Sequence, residues 1–348
     1  MAFHIRHEVL ELTTKHAFHI ARAAAPPVRR TVWVRVTDEE GNEGWGEAAA
    51  NAYYGETADT VTALLPVYER ALNSSGGHAG DPLGLERLES ALEGAVGRNP
   101  AARAALSAAL HDLAGKRLGI PVWRLFGLDA EGSPLSSFTI GIDEPAVMLQ
   151  KLEEAAAYPI LKVKVGTADD RAILELMRKH APDKQIRIDA NTAWSLKQAL
   201  ALLPLLEELA IELIEQPFKA EDIASFRVLR ERSAIPIVAD ESCRVSADVP
   251  RLVGAVDGIN IKLEKCGSLR EALRMVHVAR AHHLKVMIGC MLCSTLGIAA
   301  AMQIAPLVDW ADLDGAVLLN VDPFAGPSMD ERGVLELSHD PGLGVIRR

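Results

Sequence analysis

Three lysines and five carboxylates are the residues with which this sequence could do chemistry. Lys162 and Lys164 stand one residue apart in "ILKVKVG", and Lys262 lies in "GINIKL". Asp189, Glu215 and Asp240 interrupt "IRIDAN", "IELIEQP" and "IPIVADE", and Asp312 and Asp314 interrupt "WADLDG". Each run is otherwise apolar or β-branched, a setting where an unpaired charge is expensive to bury. Asp189, Glu215 and Asp240 would repel one another if left alone in a partly buried mouth. A hard divalent cation removes that repulsion, and an all-oxygen ligand set with room for water or substrate suits Mg2+. The alternative, that each carboxylate caps the next helix or pairs with an arginine, fits one aspartate better than three carboxylates in phase.

The lysines complete a pattern. Side chains alternate along a strand, so Lys162 and Lys164 share one face while Val163 and Val165 take the other. Two adjacent ammonium groups are expected to depress each other's pKa and so to provide a neutral lysine base near physiological pH. A solvent-facing lysine stripe would explain that pair but not Lys262 across the mouth. A base on each face of a substrate, with a metal between, can remove a proton from carbon and return one from the other side. The carbon acid beside a carboxylate is very weak, so its enolate-like intermediate needs Lewis-acid help.

The elements that must position these groups recur. Eight runs start at Ser136, Ile160, Ile186, Ile211, Ile235, Gly258, Lys285 and Trp310, between 23 and 27 residues apart. Amphipathic stretches such as "DIASFRVLRERS" and "LREALRMVHVARAHH" lie between them. That period is one strand, one helix and two short loops, and eight units suggest parallel strands closed into a β/α barrel. An open doubly wound sheet would normally carry a Gly-rich phosphate turn, and no G-x-G-x-x-G occurs here. In a parallel barrel the catalytic groups come from the C-terminal ends of the strands, where all eight charges fall.

The first part of the chain reads differently. "HIRHEVLELTT" and "RTVWVRVTDEEGNEGWGEA" predict antiparallel strands around the "EEGNEG" turn. Two helical stretches follow, "TADTVTALLPVYERALN" and "PAARAALSAALHDLAGKRLG", with the loop "NSSGGHAGDP" between them. The expected organisation is an α+β domain over residues 1–125, a barrel over 126–320, and a tail over 321–348 that returns to the first domain.

Composition sets the outer limits. The chain has 348 residues, 49% hydrophobic and 24% charged, with a formal net charge of −10. That balance gives no basic footprint for nucleic acid. "MAFHIRHEVLELTT" lacks the apolar core of a signal peptide, and four cysteines in a chain this long form no disulfide framework, so the expected compartment is the cytoplasm. Val286 to Val308 is uncharged and long enough to raise the question of a membrane span. It contains Gly289, Ser294, Gly297, Gln303 and Pro306 and divides into a strand, a turn and a helix in phase with the barrel period. No membrane partner is expected. Cys290 and Cys293 form a C-x-x-C, which raises a thiol oxidoreductase as a competing reading, but small buried cysteines are the commoner case. Cys243 and Cys266 supply no second C-x-x-C for zinc. None of the eleven histidines sits in an H-E-x-x-H. A binding protein that had lost catalysis would usually lack at least one base or ligand.

At these residues the chain resembles the enolase superfamily, in its muconate-lactonizing-enzyme subgroup. The motifs are "KVK" (Lys162, Lys164), "DAN" (Asp189), "EQP" (Glu215), "ADES" (Asp240) and "NIKLEKCGS" (Lys262). Enolase-superfamily sites use a Lys or His base with Mg2+ stabilising an ene-diolate. The resemblance covers nearly the whole chain. It implies a (β/α)7β modified TIM barrel with an α+β capping domain built from the N-terminal region and the C-terminal tail. It also implies Asp189, Glu215 and Asp240 as Mg2+ ligands, Lys164 and Lys262 as bases, and Lys162 as the group that stabilises the enediolate and holds Lys164 reactive.

"DLDG" is similar to the D-x-D of dipeptide epimerases, which implies that Asp312 and Asp314 receive a substrate α-ammonium, away from the metal. "GCMLCSTLGIAAA" is similar to the seventh-strand segment of these epimerases and departs from some of them, which carry Glu where Cys293 stands. Arg22 in "FHIARAAA" resembles the arginine that meets the side-chain carboxylate in L-Ala-D/L-Glu epimerases, enzymes of peptidoglycan recycling. The expected activity is therefore Mg2+-dependent 1,1-proton transfer at the α-carbon of a dipeptide's C-terminal residue, by an isomerase that forms homo-oligomers as the family often does. The alternative within the subgroup is a cycloisomerase or an o-succinylbenzoate synthase-like lyase, whose substrates lack the amino group. Tyr53 and Tyr54 of "NAYYGETADT" are expected in a second loop over the mouth, with no role assigned.

Overall fold

The computed structural model describes residues 2–21, 23–24, 28–75 and 84–348. Three antiparallel strands open the chain, β1 (His4–Thr13), β2 (Val28–Thr37) and β3 (Glu43–Ala48), with β2 in the centre. The β2–β3 turn forms where Asp38 accepts from the amides of Glu40 and Asn42 at 3.0 and 2.9 Å and Gly41 takes a positive φ of 83°. Alternation along β2 gives it two jobs. Val32, Val34 and Val36 bury against helices α1 (Ala58–Ser74) and α3 (Pro100–Leu118), whereas Trp33 belongs to the apolar cluster shared with the barrel. Helix α3 lies directly on β3, where a Cβ at Gly46 would stand 2.0 Å from the carbonyl oxygen of Ala105.

Between them runs α2 (Leu85–Ala95), a helix the sequence reading left out of its two helical stretches. Its Leu88 and Leu92, one helical turn apart, are buried.

Eight parallel strands follow: β4 (Phe138–Ile140), β5 (Ile160–Lys164), β6 (Gln185–Asp189), β7 (Ile211–Glu215), β8 (Ile237–Ala239), β9 (Gly258–Ile261), β10 (Lys285–Gly289) and β11 (Trp310–Asp312). Each pairs with its neighbour in sequence, and a bridge between Ser136 and Ala311 brings the last strand back to the first. Helical connections follow the first seven strands and none follows β11, so the barrel is (β/α)7β. The uncharged stretch resolves into β10, a turn and the buried helix α4 (Thr295–Met302), and no described helix is long and apolar enough to cross a membrane.

The interior is layered by the strand period of two. Leu213, Val238, Met287 and Trp310 form an apolar plug. Two residues further along the same strands stand Glu215, Asp240, Gly289 and Asp312, so the charged layer caps the plug at the C-terminal rim. Beyond β11 the chain crosses to the N-terminal sheet. Phe324 meets Trp33 with ring centroids 5.3 Å apart, Arg347 pairs with Glu8 at 3.2 Å, and the amide of Leu343 donates to Asp112 at 2.7 Å.

Candidate active site

Lys162 is the hub of the charged layer. Its Nζ lies 2.7 Å from Asp312 Oδ2, 2.7 Å from Glu215 Oε2 and 3.2 Å from Asp189 Oδ2. Lys164 donates to Asp189 Oδ2 at 2.6 Å, and Lys262 to Asp240 Oδ2 at 2.7 Å. All seven of these residues, and Asp314, are buried. The second oxygens are held as well. Asn191 N donates to Asp189 Oδ1 at 2.9 Å, Asn260 Nδ2 to Glu215 Oε1 at 2.8 Å, and Ser137 Oγ to Asp312 Oδ1 at 2.8 Å. The amide of Thr139 donates to Asp314 Oδ2 at 2.6 Å.

Two groups here had no role in the sequence reading. Lys265, one helical turn past Lys262, is fully buried, lies 2.5 Å from Asp240 Oδ1, and donates to the carbonyls of Asp240, Cys243 and Asn260. Gln216, at a φ of +37°, accepts from the amides of Asp240 and Ser242 through one oxygen and so ties the ends of β7 and β8 together. Both stood inside quoted motifs, "NIKLEKCGS" and "EQP", without an obvious job.

The electrostatics correct one expectation. Burial opposes the charge on Lys162, but Asp312, Glu215 and Asp189 outweigh it and hold the ammonium well above the usual lysine range. Lys262 is raised in the same way: burial opposes its charge and Asp240 more than restores it, with Lys162 a smaller opposing influence. At Lys162 and Lys262 the facing carboxylates therefore outweigh burial and any neighbouring ammonium.

Asp312 is joined through Lys162 to Glu215 and Asp189, a contact that the sequence spacing does not show. Against burial, Lys162 and Lys164 hold Asp312 below the usual range. Asp314 is pushed up to about 7, by burial first and by Asp312 second.

The donor chemistry of Asp189, Glu215 and Asp240 fits a hard cation. Glu215 is raised by burial and by Asp189, more than Lys162 offsets, so positive charge is still short at this point. Asn191 Oδ1 and Asn260 Oδ1 are buried and accept no hydrogen bond, and Glu215 Oε2 meets only the Lys162 ammonium. Among the described residues, no three His, Cys, Asp or Glu side chains close on one ion-sized point, since lysines hold the carboxylates. Oxygen donors left without hydrogens, in a net anionic setting, are what Mg2+ selects.

Above the layer lies a cavity open to solvent. Its floor includes Lys162, Lys164, Lys262, Asp312 and Asp314, and its roof includes Phe18, Ile20, Asn51 and Tyr54 from the N-terminal domain. The guanidinium of Arg244 stands 5.0 Å from the Tyr54 ring centroid. Arg22 lies outside the described residues, but Arg29, seven positions on and not singled out from the sequence, lines this cavity.

Cys290 lines the cavity too, while Cys293 is buried, and both are free thiols. Burial, with Asp314 beside Cys290 and Glu47 beside Cys293, pushes both thiols well above their usual range, the opposite of what a redox pair needs. Glu47, on β3, accepts from the amides of Ser294 and Gly297 and from the Ser294 hydroxyl, which fastens the start of α4 to the N-terminal sheet.

Residues 146–346 match the enolase C-terminal domain-like family, and residues 5–127 match the N-terminal domain family of mandelate racemase and muconate lactonizing enzyme. The chain is 39% identical over 342 residues to the L-Ala-D/L-Glu epimerase of Bacteroides thetaiotaomicron, covering 97% of this chain and 86% of the relative. It is 38% identical to the L-Ala-D/L-amino acid epimerase of a Maribacter species, over 99% of both chains. Among solved structures, the dipeptide epimerase of Enterococcus faecalis, complexed with Mg and L-Leu-L-Tyr, superposes with a TM-score of 0.91 at 32% identity, covering 99% of this chain and 98% of that one.

Proposed function

The chain belongs to the mandelate racemase/muconate lactonizing enzyme group of the enolase superfamily, and from that premise we propose that it is a Mg2+-dependent dipeptide epimerase. The observation that carries the reading is the placement of Lys164 at the end of β5 and Lys262 at the end of β9. Four strands apart in a ring of eight, they face each other across the cavity floor. Bases so opposed can work on the two faces of one carbon.

In this mechanism Lys164 and Lys262 exchange roles with the direction of reaction. One takes the α-proton of the substrate's C-terminal residue, and the other delivers a proton to the opposite face. Whichever lysine acts as base must first be neutral, so the carboxylates that now hold the ammonium forms must find another cation. A divalent ion held by Asp189, Glu215 and Asp240 would neutralise them and supply Lewis-acid stabilisation of the charge that develops on the substrate carboxylate. Lys162 stays charged and adds a further donor to that carboxylate. Asp312 and Asp314 receive the α-ammonium, a demand that cycloisomerase or o-succinylbenzoate synthase-like chemistry would not make.

L-Ala-D/L-Glu is the substrate pair we favour, and with it the turnover of peptidoglycan peptides in the cytoplasm; four free cysteines suit a reducing compartment. A homo-oligomer is the assembly we favour. As working parts we take a capping domain (1–125), a catalytic barrel (126–320) and a tail (321–348), a division supported by the aromatic contacts of Phe324 with the N-terminal sheet.

Proton NMR of L-Ala-L-Glu in D2O tests the reading. With enzyme and Mg2+ the Glu α-proton signal should vanish as L-Ala-D-Glu appears, and EDTA should stop both changes. Silence across a broad panel of dipeptides would contradict it.

A further inference from the structure

Asp189, Glu215 and Asp240 each divide their two oxygens between two kinds of neighbour. Asp189 Oδ2 faces Lys164 and Lys162, Glu215 Oε2 faces Lys162, and Asp240 Oδ2 faces Lys262. Those lysines belong to the reaction. The opposite oxygens face groups that have no part in it. Asp189 Oδ1 accepts from the amide of Asn191 at 2.9 Å, Glu215 Oε1 accepts from Asn260 Nδ2 at 2.8 Å, and Asp240 Oδ1 lies 2.5 Å from Lys265 Nζ.

These outer donors are fixed by the barrel itself. Asn191, at a φ of +42°, turns its amide back onto the carboxylate two residues before it. Asn260 is buried on β9, two residues before Lys262 and therefore on the same inward face. A Cβ at Gly289 of β10 would stand 2.7 Å from Asn260 Oδ1 and 3.0 Å from Lys262 Cε, so a glycine there leaves room for both side chains. Lys265 Nζ also donates to the carbonyls of Asp240, Cys243 and Asn260 at 2.6, 3.0 and 2.8 Å, which tethers it to the ends of β8 and β9.

A carboxylate with one oxygen engaged in this way offers a cation only the other. Three such groups supply three oxygens and leave the remaining positions to water and substrate. Mg2+ suits that arrangement, because it demands octahedral order and keeps several waters. Ca2+ is larger, takes roughly six to eight oxygens, and readily uses both oxygens of one carboxylate. We propose that Asn260 and Lys265, with the amide of Asn191, reserve one oxygen of each carboxylate and thereby make the site select Mg2+ over Ca2+. Asn260 and Lys265 are positioning residues, acting through Glu215 and Asp240. The inference rests on the metal-ligand reading given above.

The test needs no turnover. The full chain, stripped with EDTA and dialysed, is melted over rising MgCl2 or CaCl2 against NaCl of equal ionic strength, and the rise in melting temperature gives an affinity for each cation. The wild type should bind Mg2+ more tightly than Ca2+. Asn260→Leu keeps the volume and removes the donor, and should weaken Mg2+ about 10-fold, as loss of a partner that orients a ligand does, with a smaller effect on Ca2+. Lys265→Met frees Asp240 Oδ1 and should shift the Mg2+/Ca2+ ratio the same way; Asn260→Leu carries the test if that buried replacement does not fold. Gln216→Leu loosens the ends of β7 and β8 without freeing a carboxylate oxygen, so it should change both affinities alike. A wild type that holds Ca2+ as tightly as Mg2+, an unchanged ratio in Asn260→Leu, or an equal shift in Gln216→Leu would each overturn the proposal and leave the metal-ligand reading standing. If neither cation raises the melting temperature of the wild type, that reading fails and the proposal fails with it.

Discussion

Asp314 is a site residue whose charge the surroundings leave finely balanced. Burial and the neighbouring Asp312 raise it to about 7, with only Thr139 and the more distant Lys162 favouring its anion. A substrate ammonium needs that anion, so KM for a dipeptide should fall as pH rises through about 7. Asp314→Asn should raise KM and abolish this dependence while leaving the pH profile of kcat close to wild type; steady-state kinetics from pH 6 to 9 would show it. A wild-type KM that stays flat across pH 7 would remove Asp314 from the ammonium site. Lys162 carries a different load, since three carboxylates meet on its single Nζ. Replacing it with methionine strands buried anions, and such losses cost about 3–5 kcal/mol. Lys162→Met should therefore melt well below the wild type in a thermal scan, and added Mg2+ should recover part of the difference.

At the scale of elements, the site depends on how the capping sheet grips the barrel. Glu47 holds the amides of Ser294 and Gly297, at the head of the helix that follows Cys290, Met291 and Leu292 of the cavity wall. Glu47→Ala leaves those buried donors unmet, at about 1–3 kcal/mol for each group. It should loosen that wall and raise KM more than it lowers kcat. Closer packing governs β3 against α3. Gly46→Ala sets a Cβ into the carbonyl of Ala105 and should destabilise the protein by about 2–3 kcal/mol, read from a denaturant midpoint.

The barrel strands were legible because their signal is redundant. Eight runs recur at one period, and the charges Lys164, Asp189, Glu215, Asp240 and Asp312 share one parity at one rim. Helix α2 was not legible because it emerges from a Gly/Ser-rich stretch that masks its start. Arg29 was not legible because the sequence cannot say which face of β2 meets the barrel; that choice is made by Trp33 and Leu12 packing against it. The pKa direction of Lys162 was misjudged for a related reason. Sequence spacing brings Lys162 near Lys164, but only the closed barrel brings Asp312 and Glu215 nearer still.

For the whole molecule, two apolar cores lie on opposite faces of β2, one shared with the barrel through Trp33 and one within the N-terminal domain around Val32, Val34 and Val36. The second core carries a pH-dependent weakness. Burial raises Glu89 to about 7 despite its bond from Ser107, compared with 4.5 in its ordinary state. A carboxyl whose folded pKa is raised binds its proton more tightly in the native state. Its contribution is thus fully present below about 4.5 and is lost as pH rises through about 7. The melting temperature of the wild type should fall relative to Glu89→Gln between pH 5 and pH 8; two parallel curves would contradict this.

The central claim is that two lysines act on opposite faces of one carbon. The most direct measurement is α-proton exchange in D2O, with Mg2+, by Lys164→Ala and Lys262→Ala, each offered L-Ala-L-Glu and L-Ala-D-Glu separately. We predict that neither variant interconverts the epimers, and that each retains exchange of one epimer only, the two variants choosing opposite ones. Exchange of the same epimer by both, or equal residual epimerisation in both, would contradict the account.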